Sequence, residues 1–358
     1  MNKTLNKSIA ITILTIVALS VIPSMLVLLP QAVSAQLVTK ISASSPNLVD
    51  DKVIEILIEG SSGLGELRLE VFEKEGGAAS LVDKNGEDIP YGGLVATEIG
   101  RTGIYVAYLG GSGKTEPQNS KVPLDSDVSD EKVNIAWFEG GVDGKTYVIR
   151  VIGTDQAVEV LYDYVTSVVR SDRSEYPFGG YIRITVVDQD INKDPTLAEE
   201  PSSNNILVTK VKVVRPATGE TFEEVTVDES FTEVFFGGTA TNGRETGVNR
   251  GEFVFEASLS DLENYLASLF DDFVEFKNND IISIKIKGND DDPEEATLTF
   301  RVRTVTPVPV FEAVSFAEGV KISINWFDYN LKSWEEDEIP AGVVSLILLK
   351  DGSAVDTE

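Results

Sequence analysis

A chain of 358 residues with 59 acidic and 30 basic side chains carries a formal charge of −29, and its 42% hydrophobic and 25% charged content is that of a globular protein. The absence of cysteine and histidine excludes a disulfide scaffold, Cys/His zinc sites, thiol chemistry and any Ser-His-Asp mechanism. So negative a surface repels nucleic acid and anionic lipid and attracts cations and basic partners.

The first 35 residues stand apart from the rest. Lys3 and Lys7 flank the start of an uncharged apolar run from Ile9 to Leu29, and Val33-Ser34-Ala35 forms a small-residue cleavage site before Gln36. This is the pattern of an export signal peptide, spanning 1–35. A retained anchor is the alternative, since roughly twenty apolar residues can span a bilayer, but Pro23 and Pro30 disturb such a helix. No second run of spanning length follows, so the mature chain is expected outside the cell with no membrane span after signal cleavage. Without disulfides its stability has to come from packed cores.

From residue 36 onward the chain reads as short strands. Val53-Ile54-Glu55-Ile56-Leu57-Ile58, Glu66-Leu67-Arg68-Leu69-Glu70-Val71, Tyr181-Ile182-Arg183-Ile184-Thr185-Val186, Ile281-Ile282-Ser283-Ile284-Lys285-Ile286 and Thr297-Leu298-Thr299-Phe300-Arg301-Val302 alternate with period two. β-branched residues bounded by Gly, Asn, Asp and Pro predict half-buried antiparallel strands, and their number predicts sandwiches. Gly110-Gly111-Ser112-Gly113-Lys114-Thr115 lacks the spacing of a phosphate loop and is expected to be a hairpin loop. One helix interrupts the strands at about 260–274. Leu262, Tyr265, Leu266, Leu269, Phe270 and Phe273 follow helical spacing behind a capping box of Ser260 and Glu263.

Internal repetition organises these strands. Gly180-Tyr181-Ile182-Arg183-Ile184-Thr185-Val186-Val187-Asp188-Gln189-Asp190-Ile191-Asn192 is similar to Gly319-Val320-Lys321-Ile322-Ser323-Ile324-Asn325-Trp326-Phe327-Asp328-Tyr329-Asn330, with Asp190 on Asp328 and Asn192 on Asn330. Thr102-Gly103-Ile104-Tyr105-Val106 matches Arg250-Gly251-Glu252-Phe253-Val254, and Val133–Val151 aligns at nearly the same spacing with Ile282–Val302. The expected domains are therefore 36–166, 170–304 and a partial third unit, 306–358. Either the chain is a fragment of a longer one, which we favour, or another polypeptide completes the last unit.

Asp188, Asp190, Asn192 and Asp194 alternate in a loop closed by Pro195. Hard oxygen donors at that spacing can converge on calcium (Ca2+), as in the first half of an EF-hand loop. The glycine and distal glutamate of that loop are absent, so a solvated loop with Asx turns is the competing reading. The clusters Asn289–Glu295 and Glu335–Glu338 read as solvated turns.

The segment Tyr176–Pro195, with Glu245-Thr246-Gly247, Arg250-Gly251-Glu252-Phe253 and Asn279-Asp280-Ile281-Ile282-Ser283-Ile284 after it, resembles repeat domains of archaeal surface-layer (S-layer) proteins. Unit one keeps Thr97-Glu98 and Gly103-Ile104-Tyr105 but has Glu59-Gly60-Ser61-Ser62-Gly63 in place of the acidic loop. The resemblance implies an all-β chain of tandem Ig-like β-sandwich domains with one short inserted helix. It also implies a structural role in an extracellular surface layer, with self-association or other surface-layer subunits as partners; the acidic charge adds divalent cations, and the lack of His and Cys argues against an enzyme. A secreted adhesin or carbohydrate-binding module is the alternative. A hydrolase lacks any nucleophile motif.

Overall fold

The computed structural model describes residues 38–140, 143–224, 229–288, 293–305, 308–315, 319–338, 347–350 and 353–357. The expected signal peptide, 1–35, and most of the Asn289–Glu295 cluster lie outside the described residues. By their contacts the residues form two compact units. One runs to Asp163 and takes in Lys193–Leu197; the other is Tyr164–Asn192 with the chain from Ala198 onward.

The first unit comprises β1 (Val38–Ala43), β2 (Asn47–Leu48), β3 (Val53–Gly60), β4 (Glu66–Glu73), β5 (Leu81–Val82), β6 (Val95–Glu98), β7 (Ile104–Gly110), β8 (Ile135–Phe138), β9 (Lys145–Val151) and β10 (Ala157–Tyr162). Its strand order is β1-β3-β7-β6-β4-β9-β10-β2. The two faces are joined through β4, whose first half pairs β6 at Glu66–Arg68 and whose second half pairs β9 at Leu69–Glu73. Inward alternation on these strands builds a core of Ile54, Ile56, Ile58, Leu69, Tyr105, Ala107, Leu109 and Ile149.

Strand β7 departs from simple alternation because it is buried on both sides. Val106 and Tyr108 face a second, smaller core with Val122, Ile135 and Trp137. β8 lies parallel to β7, Tyr108 opposite Ile135, so the chain after β7 makes a long crossing instead of the expected hairpin. Trp137 is fully buried; its indole N–H donates to the Thr115 carbonyl at 3.0 Å.

The second unit holds β11 (Val168–Ser171), β12 (Glu175–Tyr176), β13 (Tyr181–Val187), β14 (Leu207–Arg215), β15 (Glu220–Glu224), β16 (Glu229–Ser230), β17 (Arg244–Glu245), β18 (Glu252–Ser258), β19 (Asp280–Lys287) and β20 (Ala296–Val302). One sheet runs β11-β13-β18-β17 and the other β12-β20-β19-β14-β15. Two helices are inserted, α1 (Phe231–Phe235) and α2 (Leu259–Leu269). The core between the sheets contains Ile182, Ile184, Val186, Phe253, Phe255, Ile282, Ile284, Ile286 and Phe300.

The predicted helix is shorter than its periodicity suggested, and it is capped differently. Ser258, not Ser260, is the N-cap, accepting from Ser260 N, and Glu263 instead accepts the Phe276 N–H at 2.6 Å. Phe270 and Phe273 keep their apolar contacts from the loop beyond the helix, where Phe273 meets Phe222 and Phe276 edge-on. The single turn of α1 was not expected from the sequence; Phe231, Val234 and Phe235 sink into the core.

The two units share one strand plan. β1, β3, β7 and β6 pair as β11, β13, β18 and β17 do, and β4, β9, β10 and β2 pair as β14, β19, β20 and β12 do. The agreement extends to register: Glu98 is opposite Tyr105 and Glu245 opposite Phe253, while Thr97 meets Val106 and Arg244 meets Val254. In both units a short strand near the start pairs in parallel with the last, β2 with β10 and β12 with β20. This corrects one alignment. Strand β19 takes the place of β9, not of β8, because both β9 and β19 pair with the equivalent strands β4 and β14. The all-β, tandem Ig-like sandwich architecture stands, with two short inserted helices where one was expected.

Beyond these, β21 (Val308–Ser315) and β22 (Gly319–Asn325) form one antiparallel hairpin, and β23 (Ile347–Lys350) and β24 (Ser353–Thr357) another. The first repeats the β11–β13 pairing, as the match between residues 180–192 and 319–330 leads one to expect.

Candidate functional site

A carboxylate clamp recurs where the sequence repeat is clearest. Glu98 accepts the N–H groups of Gly63 and Gly103, both at 2.9 Å. Glu245 accepts those of Arg250 at 2.6 Å, Gly251 at 2.9 Å and Glu199 at 2.9 Å. Gly103 and Gly251 both have positive φ, +74° and +59°. A Cβ at Gly103 would stand 2.3 Å from the Gly60 carbonyl, and one at Gly251 2.9 Å from the Asp188 carbonyl. These glycines are positions where the chain turns back against the end of β3 or β13, and the glutamate fixes that turn.

The four residues singled out as calcium ligands are all buried: Asp188 at 1%, Asp190 at 3%, Asn192 at 1% and Asp194 at 4% exposure. The solvated-loop reading is thereby corrected, although its Asx turns are present. Asp188 Oδ1 accepts from Asp190 N at 2.7 Å and Oδ2 from Ser167 Oγ at 2.9 Å. Gly288 lies so close that a Cβ there would come within 1.7 Å of Asp188 Oδ2. Asp190 Oδ2 accepts the Val165 N–H at 2.7 Å, and Asp328, its partner in the repeat, accepts the Val305 N–H at 2.9 Å. The aligned aspartates thus hold the chain segments that lead into their sheets. Asn192 Nδ2 donates to Asn249 Oδ1 at 3.1 Å, while its own Oδ1 is buried without a hydrogen-bond partner among the described residues.

Asp194 belongs with the first unit. It accepts from Gln118 N at 2.8 Å and from Thr196 N and Oγ1 at 2.8 and 2.6 Å. The predicted quartet is therefore divided, three residues in one unit and one in the other. Among the described residues no group of three or more acidic side chains is placed to hold a metal ion.

Two other places carry chemistry. In the first unit, Glu70 accepts from Tyr91 Oη and from Arg150 Nε, each at 2.5 Å, beside a hollow of about 210 Å³ lined also by Phe72, Gly76, Gly77 and Ala78. The Tyr91 hydroxyl and then the Arg150 guanidinium hold the Glu70 carboxyl below its usual range. The Tyr91 ring is 71% exposed. In the second unit, the outer face of the β11-β13-β18-β17 sheet carries a polar cavity of about 550 Å³ lined by Arg183, Thr241, Asn242, Arg244, Thr246, Val254 and Glu256.

Neither place is visible in any sequence motif. The available signal is strand phase: in β13 and β18 the residues between the buried ones are Arg183 and Glu256, and Arg244 alternates with the buried Glu245. Only the register shows that they share one patch.

No family model and no curated protein matches the chain. Among solved structures it is similar to the Yersinia pseudotuberculosis adhesin InvE, at 11% identity and a TM-score of 0.24, over 74% of this chain and 60% of that one. It is also similar to the Escherichia coli adhesin FdeC, at 11% identity and a TM-score of 0.22, over 76% of this chain and 67% of that one. A tetra-tandem repeat from the extending region of a large adhesion protein matches at 10% identity and a TM-score of 0.21, over 80% of this chain and 62% of that one. At such identities the likeness concerns fold alone.

Proposed function

We propose that the chain is an exported cell-surface protein whose repeated Ig-like sandwiches are a framework for displaying binding surfaces. The observation that carries this reading is the unequal treatment of framework and connections. Strand order, register and the glutamate clamp recur in both units. The segments between strands do not: one unit has the long crossing after β7, the other has α1, α2 and the buried acidic loop. A polypeptide that repeats its sheets and varies the segments joining them presents different surfaces from one plan. Surface biotinylation of intact cells expressing the full chain tests it. Labelling is expected, and retention inside the cell would refute the proposal.

A surface-layer subunit is the more specific form of this reading, with copies of the chain or other surface-layer subunits as partners. The orphaned Asn192 Oδ1 favours a cation as part of it. Asp188, Asp190 and Asn192 would hold calcium, with water completing its shell, and the ion would offset repulsion in a chain of charge −29. Electron microscopy of the mature chain in millimolar calcium should then show ordered sheets that disperse on chelation. Particles that stay monomeric at high concentration would sink the lattice reading.

A further inference from the structure

The polar cavity on the outer face of the second unit's β11-β13-β18-β17 sheet has a volume of about 550 Å³, within the roughly 300–1,000 Å³ span of ligand pockets. Its floor follows from register. Val254 and Glu256 are next-but-one neighbours on β18 and share a face. Arg183 on β13 is directly opposite Glu256, and Arg244 on β17 is directly opposite Val254 from the other side. Arg244 is therefore directly beside Val254 and Arg183 diagonal to it across β18, with Thr241, Asn242 and Thr246 completing the wall.

The two arginines are in different states. Arg183 is fixed: Nη2 donates to Glu256 Oε1 at 2.5 Å, and the guanidinium lies 4.2 Å from the centre of the Trp334 ring. Its Nε is buried with no hydrogen-bond partner among the described residues. Arg244 is exposed, and its guanidinium makes no hydrogen bond or ion pair among the described residues. In a chain where acidic side chains outnumber basic ones 59 to 30, a cation in a cavity is readily neutralised from within. Arg244 is not, and its planar fork of donors stays open to an anion from outside.

We infer that this cavity binds a carboxylated sugar, a uronic acid residue of an acidic glycan. The sugar carboxylate sits on Arg244. Ring hydroxyls pair with Thr241, Asn242 and Thr246, and one donates to Glu256, which is acceptor-only when ionised. A neutral sugar leaves Arg244 unused. A run of acidic peptide brings further carboxylates against Glu256 and supplies few hydroxyls for the wall. The inference goes beyond the surface-module reading and can fail without it.

Titration calorimetry on the mature chain, with trigalacturonate, its methyl ester and a triglutamate peptide as probes, tests the assignment. Trigalacturonate should bind, and both the methyl ester and the peptide should bind about tenfold or more weakly, the loss expected for one charged hydrogen-bonded pair. Arg244→Ala should weaken trigalacturonate by about tenfold or more with an unchanged melting temperature, and Arg244→Lys by less, because it keeps the charge and loses the fork. The inference is overturned by no trigalacturonate binding at millimolar concentration, by equal binding of the methyl ester, by tighter binding of the peptide, or by an Arg244→Ala variant that binds as wild type does.

Discussion

Replacing Glu245 with alanine removes the acceptor for three backbone N–H groups at once, those of Arg250, Gly251 and Glu199. The Gly251 bond is buried, and an orphaned buried donor costs about 1–3 kcal/mol. The other two are part-buried and regain water, at about 0.5–1 kcal/mol each. The sum is about 3 kcal/mol, or roughly a hundredfold in the local opening equilibrium. Hydrogen exchange resolves it by position: protection of the Gly251 amide should fall by about that factor, with the amides of β13 affected less. Glu98→Ala is the internal comparison. Its two bonds, to Gly63 and Gly103, are exposed and part-buried, so its cost is about 1–2 kcal/mol. If Glu245→Ala costs under about 1 kcal/mol, or if Glu98→Ala proves the more damaging, the clamp is not what fixes the turn.

Other perturbations test the packing directly. Arg215 donates to Asp280 from Nε and Nη2, to Oδ1 and Oδ2, each at 3.3 Å, and Asp280 is fully buried; Arg215→Met should therefore cost about 3–5 kcal/mol in urea unfolding, and Arg215→Met with Asp280→Leu should recover part of that. The ion pairs from Lys210 and then Lys212 hold the Glu223 carboxyl at about 2, below its ordinary 4.5. Its stabilisation is complete above 4.5 and lost as pH falls through about 2. The urea midpoint of Glu223→Gln should accordingly lie below that of wild type at neutral pH and converge on it near pH 2. Gly288→Ala would force a methyl group to within 1.7 Å of the Asp188 carboxylate; circular dichroism melting should show a loss of about 1–3 kcal/mol, overpacking against fixed polar atoms.

Much of the framework is legible in the sequence because its causes are local. Alternation places Ile182, Ile184 and Val186 inside β13, and the likeness of residues around Val106 and Val254 is matched by identical pairing in the fold. What escaped has non-local causes. β7 is buried on both faces because Trp137 and Val122 arrive from a crossing that no window of residues announces. The helical stripe runs on to Phe273, yet the helix stops at Leu269, since apolar spacing records burial and not the hydrogen bonds that end a helix. The Asx turns of the acidic loop are legible in its alternating Asp and Asn residues, but its burial is not, because Ser167, Val165 and Asn249, distant in sequence, pack onto it. The Arg183–Arg244 cavity needs the register of three strands before it exists at all.

The parallel pairing of β2 with β10 and of β12 with β20 bears on how each sandwich meets mechanical load. A pull on the two ends of a unit drags such neighbouring strands past each other, so their hydrogen bonds are strained together, whereas an antiparallel hairpin peels open one bond at a time. Tension that reaches these paired strands from the two ends of a unit is then met by shear at the parallel pairing.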